Sequence, residues 1–404
     1  MLRYFTAGES HGKGNLAFVD SFPAGLFINK SAIDKELRRR QSGYGRGGRQ
    51  KIETDEVEIL TGVWHDVTIG SPITLWVKNR DFKINSMPDL EAPRPGHGDL
   101  AGLMKYHAGI RPILERSSAR ATTATVAAGA LAKLLLEEFD IHVAAYVVAI
   151  GGLTLEPLFP NTEKAGQKNR GAIGYSLAEI FEKRDQSELF SLRGDLEDEA
   201  RRLIDHCAEI GTTLGGEIEI RADGVPFGLG THSQWDLKLD GRLSQAIMAV
   251  QAIKGVEIGL GFDAAGKFGQ EVHDPIEYNA EHIVGSEICV ADSESVADSQ
   301  SFGFSRPTNN AGGIEAGMTN SEPIVVRAAM KPIATLKNPL PSVNLRTLQP
   351  SQASYERSDV CAVPAASVVL EAVVALEIAS ALTEKFGGDS LEEMKERFKG
   401  QKGL

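Results

Sequence analysis

The chain has 404 residues, 42% of them hydrophobic and 24% charged, and a formal net charge of −12. That balance suits a globular protein with a sizeable core and argues against nonspecific binding to nucleic acid. Cys207, Cys289 and Cys361 are far apart and lack Cys-x-x-Cys spacing, so neither a disulfide framework nor a metal site is expected; with no signal peptide and no run of transmembrane length read, the expectation is a cytoplasmic protein.

In chain order, the glycine-flanked motif Gly8-Glu9-Ser10-His11-Gly12 leads into a strand over 15–19, then a turn at Pro23 and Gly25. A helix over 31–40 ends in Arg38, Arg39 and Arg40 and runs into a Gly/Arg loop, 41–50, carrying Arg46 and Arg49. Strands follow over 57–63 and 74–77, then the loop 93–99, in which Pro93 and Pro95 restrict the backbone around Arg94 and His97. The segment Glu115-Arg116-Ser117-Ser118-Ala119-Arg120 precedes an apolar run, 121–138. Ser117 or Ser118 can cap a buried helix there, and a helix N-terminus beside two guanidiniums suits a phosphate or carboxylate.

The second half repeats this order. A strand over 217–221 is followed by Asp223 to Leu229, which matches Asp20 to Leu26 in its Asp, Pro, Gly and Leu positions. A helix is expected over 241–252. Thr319 to Ile324 matches Thr68 to Ile73 ahead of a strand over 325–329, and Glu356-Arg357-Ser358-Asp359 matches Glu115-Arg116-Ser117-Ser118 ahead of an apolar helix over 364–386. Two β-rich units, roughly 1–150 and 210–390, are therefore expected within one pseudo-symmetric domain, 1–404, whose two buried helices form a layer between sheets. Residues 155–200 read as an insertion with one helix, 264–308 as a long loop, and 389–398 as a solvated helix.

No Walker, Rossmann, zincin or nucleophile-elbow motif occurs in its proper context. Arg40, Arg46, Arg49, Arg94, Arg116, Arg120 and Arg357 instead suggest a small ligand with several anionic groups, since guanidinium binds phosphate and carboxylate bidentately. Arg38 and Arg39 fit equally well as a solvated last helical turn. His11 and His97, in glycine-flanked loops, are candidate acids or bases; His107 reads as structural. Asp359 fits an N-cap as well as a catalytic carboxylate. The residues alone describe an enzyme or binder for a polyanionic, phosphorylated small acid.

These motifs resemble one family over nearly the whole chain, the chorismate synthases. The resemblance rests on 8–12, 38–49, 94–97, 115–120, 308–313, 317–320, 331–333 and 357–359. It implies an α+β fold, a β-α-β sandwich with helices between two antiparallel four-stranded sheets, and a homotetramer. It also implies elimination of phosphate and a C6 proton from 5-enolpyruvylshikimate 3-phosphate, with reduced FMN (FMNH2) as cofactor, no membrane or nucleic-acid partner, and NADPH as a possible reductant at Arg40 and Arg46. By resemblance His11, His97 and Asp359 are catalytic, and Ser10, Arg40, Arg46, Arg49, Arg94, Ser118, Arg120 and Arg357 hold substrate. The flavin set is Arg116, Ser117, Ser118, Gln251, Ala252, Ala316, Lys331, Pro332, Ile333, Ala334, Thr335 and Arg357. Ala121, Ala316, Ala334 and Gly98 depart from the usual Glu, Gly, Pro and Ala. A noncatalytic flavin or phosphometabolite binder on the same fold is the alternative.

Overall fold

The computed structural model describes residues 2–48, 52–157, 174–278 and 302–401. Arg49, residues 158–173 of the expected insertion, and residues 279–301 of the expected loop, with Cys289, lie outside them.

The chain forms two main sheets. Strands β1 (Arg3–Gly8), β2 (Gly14–Asp20), β3 (Val57–Thr61) and β4 (Ile73–Lys78) make a four-stranded sheet in the order β1-β2-β4-β3. Strands β5 (His142–Ile150), β6 (Leu153–Thr154), β7 (Gly216–Asp223), β8 (Ile253–Ile258) and β9 (Ile324–Met330) make the second, in the order β8-β9-β7-β5-β6. All pairings are antiparallel. The second sheet thus has five strands where four were expected. The extra one, β6, folds back on β5 through Gly151 and Gly152, whose φ values of 55° and 89° favour glycine.

The helices are α1 (Lys30–Gln41), α2 (Asp99–Tyr106), α3 (Ile110–Ser117), α4 (Thr122–Glu137), α5 (Leu177–Gln186), α6 (Glu197–Ile210), α7 (Leu239–Met248), α8 (Gly269–Val272), α9 (Val363–Phe386) and α10 (Leu391–Lys399). The apolar α4 packs on β2 and β4, α9 packs on β5 and β7, and the two helices pack on each other. Gly129 sets their separation: a Cβ there would stand 2.3 Å from the Ala372 Cβ. Fully buried Leu131 and Leu135 each add about 1.5–3 kcal/mol of burial on α4.

By length and composition α9 could cross a bilayer, contrary to the expectation that no such run exists, but 94% of its most apolar window is buried inside the fold. It carries one wholly buried carboxylate, Glu371, which accepts from Arg39 on α1 (3.0 Å), Lys133 on α4 (2.5 Å), Arg184 on α5 (2.9 Å) and the Ala145 N–H of β5 (2.8 Å). Burial alone would raise its pKa; the three cations outweigh burial and hold it well below the usual range. Arg39 is therefore a buried structural cation, and of the solvated pair expected at the end of α1 only Arg38 is exposed.

The matched turns share hydrogen bonds as well as residues. The Thr68 hydroxyl donates to Pro23 O (2.7 Å) and accepts from Leu26 N–H (2.9 Å). The Thr319 hydroxyl donates to Pro226 O (2.5 Å) and accepts from Leu229 N–H (2.8 Å). Positive φ recurs at Gly25 and Gly228 and at Gly70 and Ser321.

Candidate active site

One wall of the site is the loop after β1. The Asn79 amide, buried at the end of β4, donates to the carbonyls of Glu9, Ser10 and Gly12, at 2.8 to 3.1 Å, and so fixes the loop bearing Ser10 and His11. The His11 Nδ1 lies 2.9 Å from Glu115 on α3, and its Nε2 lies 3.8 Å from Asp81. Ser118 follows α3 and caps a single 3-10 turn, Ala119–Ala121, that leads into α4; its hydroxyl is 3.2 Å from that of Ser10. Arg116 sits in the last turn of α3, not at the start of the buried helix, and donates to Thr6 and Gly8 carbonyls.

Behind these groups is a cluster of buried guanidiniums. Arg120 donates twice to Asp55, at 2.7 and 2.8 Å, and to Asn79 Oδ1 at 2.8 Å, with Glu53 3.7 Å away. Arg40 shares Asp55 at 3.3 Å and donates to Thr123 at 2.8 Å. Burial, helped by the charges of Arg120 and Arg46, pushes Arg40 down to about 10 against the pull of Asp55. Among the described residues, buried N–H groups of Arg40 (Nε), Arg46 (Nε) and Arg120 (Nη2) have no hydrogen-bond acceptor. Such groups are costly unless a ligand completes them.

Asp359 caps no helix: the N-cap of α9 is Ala362. Its carboxylate instead accepts from Arg46 at 2.5 Å and from Gly47 N–H at 2.6 Å. The Gly/Arg loop lies so close that a Cβ on Gly47 would be 2.9 Å from Ser358 O.

The second histidine stands in a parallel arrangement. Asp99, at the start of α2, accepts from the Arg94 backbone (3.0 Å) and guanidinium (2.8 and 2.9 Å) and lies 2.6 Å from His97 Nδ1. Burial would raise the Asp99 pKa, but the bonds from His97 and Arg94 hold it well below the usual range. Arg94 also donates to Thr335 (2.8 Å), Lys331 to Gly96 O (2.8 Å), Ser358 to Thr335 O (3.1 Å), and Lys331 N–H to Ala252 O (2.9 Å). These bonds gather Ala252, with its exposed neighbour Gln251, and Lys331, Pro332, Ile333, Ala334 and Thr335 around His97. Arg357 is exposed beside them, in the extended segment before α9. Ala316 stands apart, in the hairpin joining Ile314–Glu315 to Met318–Thr319, beyond the opposite end of β9 from Lys331 and roughly 20 Å of strand away. His107 is the left-handed C-cap of α2, a structural position.

Sequence reasoning gave no role to Glu115, Asp99, Asp55, Glu53 or Asn79. Glu115 and Asp99 lie within the quoted segments and could have been considered as partners for the nearby basic groups. Asp55 and Asn79 reach the site only through the fold.

Fold and site together define a class: a mixed helix and strand protein in which histidines and buried guanidiniums are paired with buried carboxylates. The family model for chorismate synthase matches residues 2–383. The chain is 50% identical to a protein named chorismate synthase from Geobacter sulfurreducens, over 99% of this chain and 98% of that one, and 48% identical to one from Aquifex aeolicus, over 98% and 96%. A solved structure titled "Crystal Structure of Chorismate Synthase" superposes with a TM-score of 0.76 at 41% identity, covering 99% of this chain and 96% of that one. The chain belongs to the chorismate synthase family.

Proposed function

We propose that the protein is a lyase that converts 5-enolpyruvylshikimate 3-phosphate to chorismate, the last common step toward the aromatic amino acids. The observation that carries the assignment of the pocket is the set of buried guanidinium N–H groups on Arg40, Arg46 and Arg120 left without acceptors among the described residues. A substrate with one phosphate and two carboxylates supplies acceptors to such a set. Ser10, Ser118, Arg94 and Arg357 complete the proposed substrate contacts, and Arg49 joins them by resemblance alone.

In this reading the C–O bond to phosphate and the C6–H bond break. His11 gives the Nε2 proton to the departing phosphate, and Asp359 accepts the C6 proton. Arg46 turning toward the substrate releases one Asp359 oxygen for that task. The residues present also fit a reduced flavin. The buried Ser117 hydroxyl has no hydrogen-bond partner among the described residues, and the segment 331–335 lines the loop of His97 together with Gln251 and Ala252. Arg116, Ser117, Ser118, Gln251, Ala252, the 331–335 segment and Arg357 would hold FMN, with His97 hydrogen-bonded to it. When bound, the reduced flavin supplies electron density as the C–O bond breaks and recovers it afterwards.

NADPH at Arg40 and Arg46 would occupy the proposed phosphate pocket, so we assign that pocket to substrate and the reduction of FMN to an outside source. A homotetramer fits both the exposed Phe5 and Phe18 on the outer face of the first sheet and the place of Ala316, far along β9 from Lys331, which suits a flavin site shared with a neighbouring copy. We place the protein in the cytoplasm and read the chain as one domain built from two units, which the matching hydrogen bonds of Thr68 and Thr319 support. The test is an anaerobic assay with substrate and chemically reduced FMN. Equal phosphate and chorismate without lasting flavin oxidation is the expected result; tight binding of both without turnover would favour a noncatalytic binder.

A further inference from the structure

Glu115 contacts the loop of His11 three times. Its carbonyl accepts from Ser10 N–H (2.8 Å), and its carboxylate accepts from His11 N–H (2.7 Å) and lies 2.9 and 3.2 Å from His11 Nδ1. The side chain is 1% exposed, so solvent does not compete for these bonds. Arg111 lies 3.8 Å away and is itself anchored by Glu356 (2.7 Å) and Pro88 O (3.0 Å). Burial pushes the Glu115 carboxyl up, but His11 and Arg111 together hold it below the ordinary glutamate value, so it is ionised at neutral pH. An ionised carboxylate only accepts hydrogen bonds, so the proton of the Glu115 contact must sit on Nδ1. Nε2 is then the nitrogen left to exchange a proton with a ligand.

We propose that Glu115 is the positioning residue of His11: it holds one ring proton on Nδ1, so that the other proton of the imidazolium, on Nε2, is presented to the departing phosphate and the Nδ1–H tautomer remains once it is given. This inference rests on the role given to His11 above. The same carboxylate also ties down the backbone of the loop, so the test must separate orientation of the ring from general support.

Glu115→Gln keeps the size of the side chain and removes its charge. The expected result is a kcat lower by roughly 10- to 100-fold with KM nearly unchanged, the range seen when a hydrogen-bond partner that orients a metal-bound histidine is lost. In a His11→Ala background the same substitution should change kcat little, because it acts through the missing ring. An equal loss in both backgrounds would mean that Glu115 only supports the loop, and would overturn the proposal. A second measurement needs no turnover. In protein carrying 15N-labelled histidine, held at alkaline pH so that the ring carries one proton, the signal lost in His11→Ala should report Nδ1–H in the parent chain. An Nε2–H signal there would overturn the proposal even in an active enzyme. An Nδ1–H signal in a chain with no turnover would instead count against the proposed reaction while upholding the Glu115 contact.

Discussion

His11 and Asp359, assigned to one pocket in the proposed function, come from opposite ends of the sequence, and each is held by a group of opposite character. His11 rests on a carboxylate, whereas Asp359 is held by a guanidinium and a backbone N–H. If they are the acid and base of the elimination, His11→Ala or Asp359→Ala should each lower kcat by about 10²- to 10⁴-fold in the anaerobic assay, with the fold unchanged by circular dichroism. Near-parental turnover in either variant would remove that residue from the mechanism. Asp99 gives a prediction about pH. Its folded-state pKa is depressed, so its contribution to stability is present above the unfolded value of about 4 and is lost as pH falls below that. Asp99→Asn should cost about 3 kcal/mol at neutral pH, because Arg94 stays buried without its carboxylate. Its melting temperature should also fall less steeply than the parent's as pH drops from about 5 toward 2. Parallel acid profiles would show that Asp99 is not a source of the acid sensitivity.

The elements that place these residues are the two apolar helices. The 3-10 turn at the start of α4 carries Arg120 toward Asp55, and the segment before α9 carries Asp359 toward the Gly/Arg loop. Their mutual position depends on Gly129. Alanine would favour the isolated helix by about 1 kcal/mol, yet here its methyl would overlap Ala372. Gly129→Ala should therefore destabilise the protein by about 1–3 kcal/mol in urea titration, the usual cost of overpacking a core. A gain in stability would mean that α4 and α9 can separate freely. The helices were legible in the sequence because both are long, apolar and free of internal breaks. Helices α2 and α3 were not, since 99–117 contains Gly102, Gly109 and Pro112 and offers little continuous pattern. The strand β5 was also overlooked: it is apolar on both faces, lying between α9 and α5, so it shows none of the alternation that marks a half-buried strand.

Across the whole molecule, the first sheet covers α4 with one face and leaves the other open. Phe5 and Phe18, paired across β1 and β2, are 60% and 37% exposed there. If this face joins copies into the proposed tetramer, Phe5→Glu combined with Phe18→Glu should lower the mass measured by light scattering while leaving the secondary structure intact, because burying those charges without partners is unfavourable. An unchanged mass would place the interface elsewhere.

The sequence by itself determined the family, the two core helices, the matched turns and most of the basic and histidine residues assigned to the proposed pocket. These are local signals: glycine and proline fix turns, apolar runs fix buried helices, and clustered arginines mark a site for anions. Only the tertiary structure decided which acids hold those bases. Asp55, just before β3, and Asn79, just after β4, meet Arg120 from far along the chain, and Glu371 joins cations from three helices. The physical reason is that a buried charge needs a partner in space and not in sequence, so the pairing is settled only when the chain closes around it.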